Sequence, residues 1–281
     1  MMNAPAWLTA RPIAHRGLHD CGRGPIIENS PSAARAAMAR GYAIECDVQI
    51  SGDGEAIVFH DFTLERLTAQ QGRVEAFTAQ ELCALSLRGG EEEIVTLPAF
   101  LTLIGGATPL VCEIKSRFDG DMRLAERVAV CAAAYQGPMC IESFDPQVMA
   151  HLRAHGASLG IARVPLGMVA QADYDSADCE WSHLDAAHKR ALAQFLHFER
   201  TRPVFLSYGL RDLPHAVPNL CRVGLGMPVT IWTVRTQAER ALALSHGDQI
   251  VFEGNFDHAP MADESARSIQ INVTKPDRDT Q

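Results

Sequence analysis

Short apolar runs alternate with alanine- and leucine-rich amphipathic stretches along most of the chain, which predicts strands interleaved with helices. Pro12–His15 reads as a strand whose tip carries His-Arg-Gly, followed by a loop over Leu18–Ile27. A helix over Ser32–Arg40 follows, with Ser30 as N-cap, Pro31 at the first helical position and Gly41 as the stop. Tyr42–Ile50 is a second strand, and the polar turn Ser51–Gly54 reverses the chain into Ala56–Phe59. An irregular excursion with a helix around Thr78–Leu85 leads to a helical pattern over Leu97–Gly105. From there the alternation is regular. Strands are expected at Pro109–Lys115, Met139–Ser143, Ser158–Arg163, Pro203–Ser207, Pro228–Val234 and Gln249–Glu253. Helices are expected at Met122–Tyr135, Pro146–His155, Ala186–Gln194, Leu213–Leu225 and Gln237–Leu244, with an irregular segment around Trp181.

Eight strands alternating with helices predict an α/β fold, a single (β/α)8 TIM barrel with a short insertion after the second strand. Residues 1–260 are expected to form this one domain. Beyond it, 261–281 lose periodicity and read as a mobile C-terminal tail.

The composition suits one large core: 47% of the 281 residues are apolar and 21% charged. A formal charge of −9 without a basic stripe argues against nucleic acid as a partner. The N-terminus lacks a basic start followed by an apolar region, and no run approaches the roughly 20 apolar residues of a transmembrane segment. Eight cysteines without a CxxC pairing indicate free thiols in a reducing compartment, so the protein is expected to be cytoplasmic.

The chemistry concentrates between Gly41 and Asp61. Glu45 and Asp47 stand two apart on a strand, so both carboxylates project from one face, and the reversal returns His60 and Asp61 to the same end. Taken alone, the two acids could be solvated residues of an edge strand. Glu113 and Lys115 repeat the spacing on the next barrel strand, however, and His15 ends the preceding one. All of them then meet at the C-terminal ends of barrel strands, where such barrels carry their chemistry. His151 and His155 also have a metal-ligand spacing on a helix, but no third ligand accompanies them and they read as surface residues.

The chain resembles the glycerophosphodiester phosphodiesterases. The matching pieces are, in order, His15-Arg16-Gly17, Glu28-Asn29-Ser30, Glu45-Cys46-Asp47, Phe59-His60-Asp61, the spacing of Leu64, Arg66 and Thr68, Glu113-Ile114-Lys115, Ser143-Phe144 and Trp232-Thr233-Val234. They run from Pro12 to Glu253. The resemblance implies a small-molecule glycerophosphodiester substrate and a divalent cation, Mg²⁺ or Ca²⁺, held by Glu45, Asp47 and Glu113. Three carboxylates without a thiolate suit such a hard cation. It further implies that His15 and His60 serve as general acid and base, in an order the sequence does not assign. Arg16 and Lys115 supply positive charge to the phosphoryl group, Lys115 alternatively pairing with Glu113 or Glu45. Glu28 is expected near the site, either beside the cation or serving the helix N-terminus. Phe144 and Trp232 either wall the substrate pocket or fill the core, Asn29 supports the His-Arg-Gly tip, and Asp61 orients an imidazole.

Two departures from the family pattern stand out. Ser30 replaces the usual threonine, and Glu253 stands where the last strand often carries an aspartate. The expected activity is metal-dependent hydrolysis of glycerophosphodiesters to sn-glycerol 3-phosphate and an alcohol. Its rivals are a lysophospholipase D and a barrel that binds a phosphometabolite without turnover. The presence of both histidines argues against the last.

Overall fold

The computed structural model describes residues 4–21, 23–175 and 181–254. The strands are β1 (Ile13–Ala14), β2 (Ala43–Ile50), β3 (Ala56–Val58), β4 (Val95–Thr96), β5 (Leu110–Ile114), β6 (Met139–Ser143), β7 (Leu166–Ala170), β8 (Phe205–Gly209), β9 (Val229–Val234) and β10 (Gln249–Phe252). Eight of those described are parallel and close into a ring in the order β1, β2, β5, β6, β7, β8, β9, β10, with β10 returning to β1. The helices are α1 (Pro31–Ala39), α2 (Ala79–Leu82), α3 (Leu97–Ile104), α4 (Arg123–Ala134), α5 (Pro146–His155), α6 (Ala186–Ala193), α7 (Phe198–Thr201), α8 (Ala216–Asn219) and α9 (Gln237–His246). The fold is the expected TIM barrel. Its insertion after the second ring strand includes β3, antiparallel to β2, and β4, antiparallel to β3. The expected tail 261–281 and the domain boundary at 260 lie outside the described residues.

Most local signals read from the sequence act as expected. Ser30 Oγ accepts from Ala33 N at the start of α1, and Pro31 occupies the first turn. One strand is misplaced. Residues 158–163 form turns rather than a strand, with Gly160 at a φ of 76° and Ile161 the buried side chain among them. The ring strand is instead β7, whose sequence LGMVA carries few β-branched residues and was therefore hidden within an expected irregular stretch. The helix expected over Leu213–Leu225 starts only at Ala216, after Pro214, and continues into a wider π turn at Leu220–Gly224. No described helix is long and apolar enough to cross a membrane.

The period-two alternation of the ring strands sorts side chains into two environments. Ile44, Cys46, Val48, Cys112 and Ile114 pack outward with helix residues such as Ala34, Phe100 and Val128. Inside, Ile13, Ala43, Val111, Cys140, Phe205 and Val251 meet Leu8 from the turn Ala6–Leu8 and form an apolar floor. Burying one such side chain as large as Phe205 contributes about 1.5–3 kcal/mol. Two residues further along the same strand faces come His15, Glu45, Glu113, Glu142, Ser207 and Glu253. The barrel thus sets a layer of polar and titratable side chains directly above the apolar floor.

Gly17 joins this architecture to the loop that follows β1. It has a φ of 77°, and an added Cβ would lie 2.7 Å from Ala33 Cβ on α1. Gly17→Ala is therefore expected to destabilise the protein by about 2–4 kcal/mol, from left-handed backbone strain plus overpacking. Urea unfolding measures this, and an unchanged midpoint would refute the close packing of this loop on α1.

Candidate active site

At the C-terminal end of the ring the structure brings together the acids and bases expected there. Ligand oxygens of Glu45, Asp47 and Glu113 lie within 4.8 Å of one another, and all three residues are buried. Lys115 Nζ sits between two of them, 2.8 Å from Asp47 Oδ1 and 2.7 Å from Glu113 Oε1. Register explains this proximity, because Asp47 on β2 lies directly opposite Glu113 on β5. Arg16 approaches from the other side, with Nε 3.3 Å from Asp47 Oδ2 and its backbone N–H donating to Glu45 Oε2 at 2.8 Å.

Each histidine has a carboxylate at Nδ1. For His15 the partner is Glu253, at 2.6 Å, and for His60 it is Asp61, at 2.7 Å. Hydrogen bonds hold both carboxylates well below their usual range despite burial, Glu253 through His15 and Arg235, and Asp61 through His60 and Arg66. They are therefore ionised acceptors. Nδ1 must donate to them, which leaves each Nε2 with a lone pair in the neutral ring. The Nε2 of His15 lies 3.8 Å from Glu45 Oε2. Burial lowers the pKa of His15 to about 4, with Arg16 acting in the same direction and Glu253 opposing it. Burial and then Lys115 lower that of His60.

The loop after β1 and the entrance to α1 form a second tier. Asn29 is expected to support the His-Arg-Gly tip, but only its backbone N–H does so directly, donating to Arg16 O at 2.8 Å. Its side chain instead clamps Asp47, with Nδ2 donating to Oδ2 at 2.9 Å and Oδ1 accepting from the Asp47 N–H at 3.2 Å. Both Arg16 and Asn29 adopt a φ of 56°, a conformation this interlocked pair of loops enforces. Glu28 lies outside the acidic trio. It accepts from Arg16 at 2.6 Å and from both terminal nitrogens of Arg66, which also grips Asp61.

The trio fits a hard divalent cation. Burial, Asp47 and Glu113 push the Glu45 carboxyl well above its ordinary pKa, and its Oε1 is buried without a hydrogen-bond partner. An unsatisfied buried carboxylate oxygen is costly. An all-oxygen donor set of this kind suits Mg²⁺ or Ca²⁺ better than a thiophilic ion.

A cavity of about 400 Å³ opens above these groups. His15, Arg16, Glu45, His60, Glu113 and Lys115 line it on one side, and Phe144, Trp181 and Trp232 on the other. The Phe144 ring stacks edge-on to Trp232 at 5.6 Å and at a tilt to Trp181 at 4.8 Å. Phe144 and Trp232 thus belong to the cavity wall. The sequence reading passed over three participants. Arg66 belongs to the Leu64, Arg66 and Thr68 spacing without a role of its own, and the 38 residues that separate it from Glu28 hide their pairing. Glu142 faces the cavity directly across from Glu113, and burial followed by Glu113 raises its pKa. Its signal was the two-residue step from Cys140 on the floor. Trp181 stands in a stretch whose sequence carries no periodicity.

The model of the Glycerophosphoryl diester phosphodiesterase family matches residues 15–255. The chain belongs to this family. Among curated proteins, a glycerophosphodiester phosphodiesterase from Caldanaerobacter subterraneus subsp. tengcongensis is 42% identical over 112 residues, which is 37% of this chain and 44% of that protein. The aligned stretch therefore spans less than half of that relative. Among solved structures, an Oleispira antarctica phosphodiesterase in complex with sn-glycerol-3-phosphate is 21% identical, with a TM-score of 0.66, 86% of this chain and 91% of the other being covered. The glycerophosphodiester phosphodiesterase of Thermotoga maritima is 19% identical with a TM-score of 0.64, covering 85% and 92%. These structures share the family barrel.

The Arg66 network makes a prediction about acid stability. Although burial opposes it, bonding to Arg66 and the charge of Arg16 lower the Glu28 pKa to about 2. A depressed carboxylate pKa contributes stability that is present above the unfolded value and is lost as pH falls through the folded one. Wild type should therefore lose stability between about pH 4.5 and pH 2. In Arg66→Ala the same titration should be shallower, and denaturant melts across that range would show it. Parallel curves would remove Arg66 as the main anchor of Glu28.

Proposed function

We propose that this protein hydrolyses glycerophosphodiesters to sn-glycerol 3-phosphate and an alcohol, using His15 and His60 as its acid–base pair. The observation that carries this reading is the pairing of each histidine with its own ionised carboxylate at Nδ1, so that two imidazoles act on one cavity beside three clustered carboxylates. A site that only binds a phosphorylated metabolite has no use for two oriented imidazoles. One imidazole accepts the proton of the substrate's glycerol 2-hydroxyl as that oxygen bonds to phosphorus, giving a cyclic phosphate that water then opens to sn-glycerol 3-phosphate. The other, entering the reaction protonated at Nε2, gives that proton to the leaving alkoxide as the old P–O bond breaks, and the two exchange roles when water opens the cyclic phosphate. Glu253 and Asp61 hold the rings in the tautomer this requires and stabilise whichever ring is positively charged. Arg16 and Lys115 face the charge that develops on the phosphoryl oxygens.

Glu45, Asp47 and Glu113 would hold the divalent cation, Mg²⁺ or Ca²⁺. When bound, it would supply positive charge to a phosphoryl oxygen and relieve the repulsion among its three ligands. The sn-glycerol-3-phosphate in the Oleispira antarctica structure supports a small phosphate-bearing ligand here as well. The seven described cysteines are all unpaired, which supports a cytoplasmic location.

The direct test is turnover of glycerophosphocholine and glycerophosphoethanolamine, with a lysophospholipid of the same headgroup for comparison. His15→Ala and His60→Ala should each lower kcat by about 10²–10⁴-fold. EDTA or Glu45→Ala should abolish turnover. Glu253→Gln, which preserves shape and removes charge, should lower kcat by about 10–100-fold with little change in KM. Activity surviving EDTA and both histidine variants would overturn the assignment, and faster turnover of the lysophospholipid would favour lysophospholipase D.

A further inference from the structure

The loop after β1 carries a second group of ligand-type side chains, separate from the acidic trio. A ring nitrogen of His19, the thiol of Cys21 and a carboxylate oxygen of Glu253 all lie within 4.8 Å of one another. His19 is only 7% exposed, and its Nε2 has no hydrogen-bond partner although buried. A buried ring nitrogen without a partner is costly in the absence of a ligand. The other ring nitrogen, Nδ1, accepts from the Cys21 N–H at 3.1 Å, and Cys21 takes a φ of 52°. This tight turn keeps the thiol within 4.8 Å of a ring nitrogen. Cys21 is exposed, so the group is open to solvent on one side.

We infer that His19, Cys21 and Glu253 form a second cation site, selective for a thiophilic divalent ion such as Zn²⁺. Nitrogen, sulfur and carboxylate oxygen are the three donor types that Zn²⁺ takes, and ligands around a tetrahedral ion sit roughly 3.5 Å apart. Closing to that distance requires a movement of about 1 Å in an exposed loop. Binding releases the Cys21 thiol proton to solvent and leaves the thiolate on the metal, with water completing the shell. Burial lowers the His19 pKa, so its ring is already neutral near pH 7. The donor set separates this site from the all-oxygen trio, which favours harder ions.

Occupation has a consequence because Glu253 also holds His15 Nδ1 at 2.6 Å and Arg235 Nε at 2.8 Å. A dication on this carboxylate competes with Arg235 and with the His15 Nδ1–H for its oxygens, so the imidazole loses the partner that orients it. Zn²⁺ at this site therefore inhibits. The inhibition rests on the catalytic role proposed for His15, whereas the binding does not.

The experiment uses the whole chain with excess Mg²⁺ present, so that the acidic trio is served. Co²⁺ is titrated as a spectroscopic stand-in for Zn²⁺, and a thiolate-to-cobalt charge-transfer band is read in the near ultraviolet. Wild type should develop the band at one equivalent. Cys21→Ser should lose it while keeping basal turnover, and His19→Ala should weaken Co²⁺ binding at least tenfold. Under the same conditions Zn²⁺ should reduce wild-type turnover tenfold or more and spare Cys21→Ser. A band that is absent from wild type, or that persists in Cys21→Ser, would overturn the site. Zn²⁺ inhibition that is equal in both proteins would overturn the link to His15 and place the effect at the acidic trio. If the chain proves inactive towards glycerophosphodiesters, the cobalt band still decides the question of binding.

Discussion

Three carboxylates cannot be buried at one end of a barrel without positive charge among them. Isolated ionised carboxylates cost several kcal/mol each to bury, and neighbours of like charge add to that cost. Much of the local structure around Glu45, Asp47 and Glu113 answers this constraint. Lys115 spans two of the acids, Arg16 approaches the third carboxylate from the β1 loop, and Asn29 donates to Asp47 from the entrance to α1. The left-handed backbone at Arg16 and Asn29 becomes intelligible in the same light. It is strain accepted so that donors can reach acids that the strand register has already placed.

The charges also extend outward in alternation. Asp47 meets Arg16, Arg16 meets Glu28, Glu28 meets Arg66, Arg66 meets Asp61, and Asp61 meets His60. A buried trio at the centre and a half-exposed arginine at the rim are thus linked through direct contacts. His60 comes from a reversal outside the ring, yet Gln49 Nε2 also ties its carbonyl to β2 at 2.8 Å. One strand therefore supplies two of the acids and fixes the histidine beside them.

What the sequence made legible follows from periodicity. Glu45 with Asp47, and Glu113 with Lys115, share strand faces because they are two residues apart, and the barrel brings those faces together. The fold class, most helix boundaries and the acidic trio were readable for that reason. The position of β7 was not, because LGMVA offers neither alternation nor β-branched density while the turn-forming residues before it do offer apolar character. The Arg66 bridge was not readable either, since its two partners come from separate loops and no spacing relates Arg66 to Glu28. Glu142 was readable in principle, as the inward residue two beyond a floor cysteine. It escaped notice because Ser143 and Phe144 beside it carry the more familiar motif.

The apolar floor built from Leu8 and the strand starts has a kinetic meaning. Among the described residues apolar side chains fill the barrel at that end, and the cavity lies above them. Any ligand of the cavity must then come and go at the C-terminal end of the ring, so one that leaves slowly delays the next.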